Sequence, residues 1–198
     1  MNAQQLRIYA IADIHSPDSF RMAQSSPRRT TWSSRCGDID DGTLDYIGYM
    51  SHGIPWLGVL WKPRSSAGNR FENLHARSDR ISWSEARRLW RWTALQERYF
   101  RITTLSGRLR NFCRKMPPVD LFISHAPPPS AAMNGGLVSP TDYIHRGFDA
   151  FDAYLHAARP RFWLHGHLSP PLCLHGWENA RSMGICGAQP LVLDFPAS

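Results

Sequence analysis

Four short segments of mostly apolar residues predict buried β-strands. They cover residues 6–12, 119–123, 161–164 and 187–195. Runs of this length that are rich in β-branched and aromatic residues are typical of strands in a protein core. We therefore expect one strand near each end of the chain and two more in its second half.

Two segments between these strands have the spacing of amphipathic or buried helices. Apolar residues three and four positions apart run through residues 95–115, with arginines between them, and the pattern stops before Pro117. Residues 148–158 show a second helical pattern, directly before the strand at 161–164. Alternating helices and strands predict an α/β fold. At 198 residues, the chain fits one domain covering residues 1–198.

The positive charge of the chain is concentrated in its middle. Residues 21–115 hold 18 of the 23 Lys and Arg residues but 8 of the 16 acids, and six of the eight tryptophans. Trp90 and Trp92 stand among arginines, as in surfaces that stack on bases and bind phosphates. No recognisable nucleic-acid-binding module accompanies them. Nucleic-acid binding is therefore kept as an alternative function.

The four cysteines predict reduced thiols. They are far apart and form no Cys-x-x-Cys pair, so a zinc ribbon or a dithiol redox motif is not expected. The first ten residues lack the basic and apolar regions of a secretion signal, and no segment has the roughly 20 apolar residues that span a bilayer. We expect a soluble, cytoplasmic protein with no membrane partner.

Carboxylates and imidazoles occur in four short motifs. The motifs are Asp-Ile-His at 13–15, Gly-Asp at 37–38, Ser-His-Ala-Pro-Pro at 124–128 and His-Gly-His at 165–167. The first, third and fourth follow predicted strands, and strand ends are where α/β folds display functional residues. Divalent metals bind carboxylate and imidazole ligands, and a bridging carboxylate can hold two ions close together. Each motif alone is weak evidence, but their order strengthens the prediction.

In this order, the motifs resemble those of the calcineurin-like metallophosphoesterase family, best over residues 6–15 and 117–168. The resemblance implies a two-sheet sandwich flanked by helices. It also implies a hydrolase of phosphomonoesters or phosphodiesters that uses two divalent ions and acts on a small phosphoester. Manganese, iron, zinc and nickel all suit nitrogen and oxygen ligands, so the identity of the metal stays open.

The resemblance also assigns the ligands. Asp13 and His15 would hold the first metal, Asp38 would bridge, and His125 and His167 would hold the second.

Two other residues near these motifs have weaker assignments. His165 precedes its motif, so a structural or supporting role is expected. Arg146 has the chemistry to bind a phosphoryl oxygen through two hydrogen bonds, and the alternative is a solvated arginine at the start of a helix.

Two departures from the family pattern weaken the predicted metal site. Ser169 stands where the family has its last ligand histidine. The Gly-Asn-His-Asp motif, expected after residues 53–60, is replaced by Trp-Lys-Pro-Arg at 61–64, and Gly68-Asn69-Arg70 is only a partial substitute. By the family resemblance, this loss removes an asparagine that would bind metal. It also removes a histidine that would donate a proton to the leaving group.

A polar segment precedes Asp38 where the family has a buried strand. Residues 30–36 are largely polar, and burying Arg35 without a partner would be costly. One hypothesis is that part of the region from about 20 to 95 is translated out of frame. With suitable codons (TGG AAA CCA CGA TCN), residues 61–65 read one nucleotide later encode Gly-Asn-His-Asp, and residues 32–36 read one nucleotide earlier encode Leu-Val-Val-Ala-Val. A catalytically impaired or frameshift-damaged relative is therefore the main alternative to an active enzyme.

Overall fold

The computed structural model describes a set of segments from all parts of the chain. They are residues 4–14, 32–36, 39, 42, 43, 46, 56–58, 71–73, 77–82, 89–95, 110, 111, 113–134, 138, 139, 141, 142, 145–168, 174–177 and 180–195. In chain order, their strands and helices are β1 (Gln4–Ala12), β2 (Trp32–Arg35), β3 (Trp56–Gly58), β4 (Phe71–Asn73), β5 (Arg77–Ser82), β6 (Leu89–Leu95), β7 (Leu121–Ser124), α1 (Pro129–Asn134), α2 (Asp149–Ala158), β8 (Phe162–His165), β9 (Leu174–Trp177), β10 (Ala180–Gly184) and β11 (Gly187–Phe195).

The strands form two mixed sheets. The first has the order β11-β1-β2-β3-β4, with β11 antiparallel to β1 and the remaining pairs parallel. The second has the order β5-β6-β7-β8-β10-β9, with a parallel centre and an antiparallel strand at each edge. Each sheet therefore has neighbouring parallel strands whose carboxyl ends lie at one edge.

Apolar side chains from both sheets form one core cluster. From the first sheet, β1 contributes Ile8, Ala10 and Ala12, the alternate residues of one strand face. From the second sheet, Ile123 of β7 and Leu164 of β8 enter the same cluster, and both are fully buried. The two sheets therefore pack face to face, and the predicted mixed α/β class is confirmed.

Helix α2 covers the other face of the second sheet. Phe122 and Trp163 are fully buried and stacked, with ring centroids 4.0 Å apart. Phe151 and Tyr154 of α2 pack on these rings at centroid distances of 5.2–6.3 Å. Burying one such side chain contributes about 1.5–3 kcal/mol. This packing fixes α2 against β7, which ends just before His125, and β8, which ends at His165.

A partly buried carboxylate links α1 to α2. Asp152 of α2 accepts hydrogen bonds from the backbone N–H of Ser130, at 3.1 Å, and from its hydroxyl. Burial raises the pKa of the Asp152 carboxyl, and the Ser130 hydrogen bonds act in the opposite direction.

We expect Asp152→Ala to lower the free energy of unfolding by about 1–3 kcal/mol, because it leaves the Ser130 donors unpaired. Asp152→Asn keeps an acceptor oxygen, so its loss should be smaller. Urea unfolding of both variants measures the difference, and equal losses would contradict this role of the carboxylate.

Most of the predicted elements are present, with two differences. The strands at both ends of the chain, the strands before His125 and His165, and helix α2 are confirmed. The helix predicted over 95–115 is wrong at its start, because Leu95 ends β6; helical residues are found at 110, 111 and 113–115, and 96–109 lie outside the described residues. The polar segment at 32–35 is a strand, paired on both sides. Backbone hydrogen bonds can form this pairing whatever the side chains are.

Within the described part of the chain, no helix is long and apolar enough to cross a membrane.

Candidate functional site

Three of the predicted ligand residues meet where strands of the two sheets end. Asp13 follows β1, His125 follows β7, and His167 lies two residues beyond β8. The backbone N–H of His167 donates a 2.8 Å hydrogen bond to Oδ2 of Asp13. The other carboxylate oxygen of Asp13 lies 3.9 Å from Nδ1 of His125. The packing of the sheets thus brings together residues that are more than 150 positions apart in sequence, as Asp13 and His167 are.

His125 is buried and has a fixed orientation. Its Nδ1 lies 3.0 Å from the carbonyl oxygen of Cys36, and only 4% of the residue is exposed. A carbonyl only accepts, so Nδ1 carries a proton, and in the neutral form of the ring the lone pair is on Nε2. This Nε2 lies 3.1 Å from Nδ1 of His167. A backbone carbonyl that orients a histidine in this way is a common partner of metal-binding imidazoles.

Two site residues have an unusual backbone conformation. Asp13 has φ 53° and His167 has φ 68°, both in the left-handed region that residues other than glycine seldom adopt. Such conformations cost free energy, and they cluster at functional sites. Their presence at two of the three assembled residues supports the assignment of this location as the functional site.

Gly166 allows the strand ends to approach each other. A Cβ atom on this residue would lie 2.9 Å from Cβ of Ala12, 3.0 Å from Oδ2 of Asp13 and 3.1 Å from the carbonyl oxygen of Cys36. The Gly166 N–H also donates a 3.0 Å hydrogen bond to the carbonyl of His125. The glycine between the two histidines of this motif is therefore required by close packing.

Ser124 stabilises the turn that carries His125. Its hydroxyl donates to the carbonyl of Ala126 at 2.5 Å and accepts a 2.8 Å hydrogen bond from Nε1 of Trp163. Both Ser124 and Trp163 are fully buried.

We expect Ser124→Ala to destabilise the protein by about 1–3 kcal/mol, because the indole N–H of Trp163 would be left buried without a partner. Ser124→Thr retains the hydroxyl and is the matched control. Denaturant unfolding of both variants is the measurement. If Ser124→Ala were as stable as the wild type, this hydrogen bond would make no net contribution to the free energy of unfolding.

The remaining predicted residues are not all described. His15 and Asp38 lie outside the described residues, as do Ser169 and residues 61–64, so their assignments stay predictions. Ile14 and Ile39, which neighbour His15 and Asp38 in sequence, form a parallel bridge. Backbone pairing therefore joins the residue before His15 to the residue after Asp38.

His165 and Arg146 have contacts of their own. His165 is buried, its Nδ1 donates to the carbonyl of Gly166 at 3.0 Å, and its own carbonyl accepts from Ile185 at 2.6 Å. These contacts support its predicted structural role. The guanidinium of Arg146 lies 2.5 Å from Oδ1 of Asp149, at the start of α2. Substrate binding by Arg146 stays a prediction.

The side chains of the basic, Trp-rich region around residue 90 lie outside the described residues, so nucleic-acid binding also stays untested.

Sequence reasoning missed two partners of this site. The Cys36 carbonyl gave no signal, because a backbone group is the same in every residue. His145 was also missed. The centroid of its ring lies 5.1 Å from that of His167, and its Nδ1 is hydrogen-bonded to Asp142. The Asp-x-x-His spacing at 142–145 is a sequence pattern that indicates this pair, because residues three apart can contact each other in a turn.

The donor atoms partly fit a divalent ion. Two imidazole nitrogens bound to one ion at about 2.0–2.1 Å lie about 3.0–3.4 Å apart, and the 3.1 Å between His125 and His167 matches that spacing. Among the described residues, no group of three or more His, Cys, Asp or Glu side chains is arranged to hold an ion. A complete metal centre thus needs further donors, and His15 and Asp38 are the predicted ones.

Comparison with known proteins adds evidence on the fold. No protein-family model and no curated protein matches the sequence. The structure is similar to phosphopantetheinyl hydrolase (PptH) from Mycobacterium tuberculosis, with 10% identity and a TM-score of 0.60 over 92% of this chain and 90% of that chain. It is also similar to GAP50, the anchor in the inner membrane complex of Plasmodium (11% identity, TM-score 0.54, 92% of this chain and 71% of that chain). A third similar structure is TT1561 of Thermus thermophilus (7% identity, TM-score 0.52, 96% and 99%). At these identities the likeness is one of fold alone.

Proposed function

We propose that this protein is a metal-dependent phosphoesterase that hydrolyses a small phosphomonoester or phosphodiester. One observation carries the proposal: Asp13, His125 and His167 meet at the strand ends of two packed sheets. The similarity of the fold to a hydrolase, PptH, supports the same class of reaction. Carboxylate and imidazole donors are the ligands that such chemistry uses.

The proposed roles follow from the contacts of each residue. His125 and His167 would hold one divalent ion through the nitrogens that lie 3.1 Å apart. Asp13 and His15 would hold a second ion, and Asp38 would bridge the two. Bound metals would activate a water molecule and neutralise charge on the phosphoryl group. Asp13 also binds the backbone of His167, so it fixes the position of that residue.

Hydrolysis and metal content test this proposal together. The purified protein is freed of metal with a chelator and assayed with p-nitrophenyl phosphate and bis(p-nitrophenyl) phosphate, with Mn²⁺, Fe²⁺, Zn²⁺ or Ni²⁺ added separately. We expect hydrolysis that depends on one of these metals, and bound metal by elemental analysis. A folded protein that retains no metal and hydrolyses neither compound would refute the proposal.

One structural observation favours the alternative of a damaged reading frame. Strand β2 pairs with β1 on one side and β3 on the other, both in parallel. Interior parallel strands are normally apolar throughout, but β2 has the sequence Trp-Ser-Ser-Arg. An apolar sequence is therefore expected for β2, and residues 32–36 read one nucleotide earlier can encode such a sequence.

Sequencing the gene across codons 20–95 decides this alternative. If Gly-Asn-His-Asp is encoded one frame over at residues 61–65, the chain is a damaged copy, and the hydrolysis assays belong to the corrected protein. If no shifted frame encodes it, the missing residues are a real property of this protein.

A further inference from the structure

A short segment, residues 145–147, lies beside the candidate site, and none of its residues belongs to the predicted set of metal ligands. The ring centroids of His145 and His167 are 5.1 Å apart, with an angle of 35° between the ring planes. His167 in turn contacts His125. His145 therefore extends the group of imidazoles outward from the buried His125.

Asp142 holds His145 in a defined orientation. One carboxylate oxygen accepts from the backbone N–H of His145 at 3.0 Å, and the other lies 2.8 Å from its Nδ1. The side chain of His145 is 47% exposed, and Asp142 binds its Nδ1, so Nε2 is the ring nitrogen without a contact to Asp142. Among the residues that the structure describes, no hydrogen bond to this Nε2 is found. A carboxylate that binds Nδ1 and leaves Nε2 for the substrate is a recurring arrangement in proton transfer.

Gly147 anchors the segment on the turn that carries His125. Gly147 has φ 82°, and a Cβ atom there would lie 1.9 Å from the carbonyl oxygen of Pro127. Since Pro127 is two residues after His125, the position of His145 is fixed relative to the site by direct backbone packing. Arg146 reinforces this, because its N–H donates to the carbonyl of Asp142 at 3.2 Å.

We infer that His145 is a further catalytic residue, which binds the leaving group of the phosphoester and donates a proton to it, and that Asp142 is its positioning residue. This inference rests on the proposed function. The sequence lacks the Gly-Asn-His-Asp motif, whose histidine would supply this proton by the family resemblance. His145 places an oriented imidazole beside the same site.

The proposed step conserves atoms and electrons. The oxygen of a water molecule forms a bond to phosphorus, and the bond from phosphorus to the leaving oxygen breaks, with its electron pair passing to that oxygen. In this step, the ring of His145 gives a proton from Nε2 to the leaving oxygen, while Nδ1 stays hydrogen-bonded to Asp142. The proton lost by the attacking water returns to the ring through solvent.

The test compares leaving groups that differ in their need for a proton. p-Nitrophenolate leaves readily as an anion, whereas an alkoxide does not. The substrates are p-nitrophenyl phosphate and glycerol 3-phosphate, or the corresponding diesters if the protein hydrolyses only those. We expect His145→Gln to lower kcat/KM for the alkyl ester by about 100-fold or more and for the aryl ester by less than about fivefold. Asp142→Asn should show the same selectivity with a smaller loss.

His156→Gln is the matched control, because His156 is an exposed histidine of α2 outside the site. It should change neither rate, and thermal melting should show that all three variants are folded. An equal loss with both esters, or no loss with either, would overturn the role of His145 as a proton donor.

A binding measurement separates this inference from the proposed function. If the wild-type protein hydrolyses neither ester, the proposed function fails, and ¹⁵N-labelled histidine still reports on contact with the ligand. Glycerol 3-phosphate should shift the Nε2 resonance of His145 and leave that of His156 unchanged. A His145 resonance that does not move would overturn the leaving-group contact itself.

Discussion

Replacing Asp13 with asparagine is expected to lower phosphoester hydrolysis by more than about 100-fold. Residues that merely support a metal ligand typically contribute about 10-fold to 100-fold, and Asp13 is both a proposed ligand and the acceptor for the backbone of His167. Asparagine keeps the size of the side chain and an acceptor oxygen, so the hydrogen bond can persist while the charge is lost. The measurement is kcat/KM with p-nitrophenyl phosphate in the presence of the activating metal.

Asp194→Asn is the matched control for this substitution. Asp194 is an exposed residue of β11, in the strand that pairs directly with β1. It removes the same charge from the same sheet but at a distance from the site. If both variants lost activity equally, or if Asp13→Asn remained fully active with bound metal, Asp13 would not be a ligand.

Replacing Gly147 with alanine is expected to produce the largest loss of stability of any single methyl group added to the described glycines. Its φ of 82° already disfavours a side chain, at about 1–2 kcal/mol. The added Cβ would also lie 1.9 Å from a backbone oxygen, so either the segment or the turn after His125 has to move. We expect a total loss of about 3 kcal/mol or more in the free energy of unfolding.

Gly187→Ala separates backbone strain from the steric clash. Gly187 has a similar φ of 79°, but a Cβ atom there would meet nothing within 4 Å. Denaturant unfolding should therefore give a loss of only about 1–2 kcal/mol for this variant. Similar losses for the two variants would show that Gly147 does not pack closely on Pro127.

Local pattern was sufficient for the elements that build the site. The apolar runs before Asp13, His125 and His165 became β1, β7 and β8, because a buried strand needs apolar side chains wherever it occurs. Helix α2 was predictable for the same reason. Leu95 was assigned to the wrong type of element, since pairing of β6 with β7 outweighs helical spacing at the start of that segment.

The sequence by itself determined which carboxylate and imidazole side chains follow strands: Asp13, His125 and His167. Only the tertiary structure decided that these three meet, that the carbonyl of Cys36 orients His125, and that His145 lies beside His167. The physical reason is the range of the interactions. Strands and helices follow from residues a few positions apart, whereas these contacts depend on how two sheets pack, and packing joins residues that are distant in sequence.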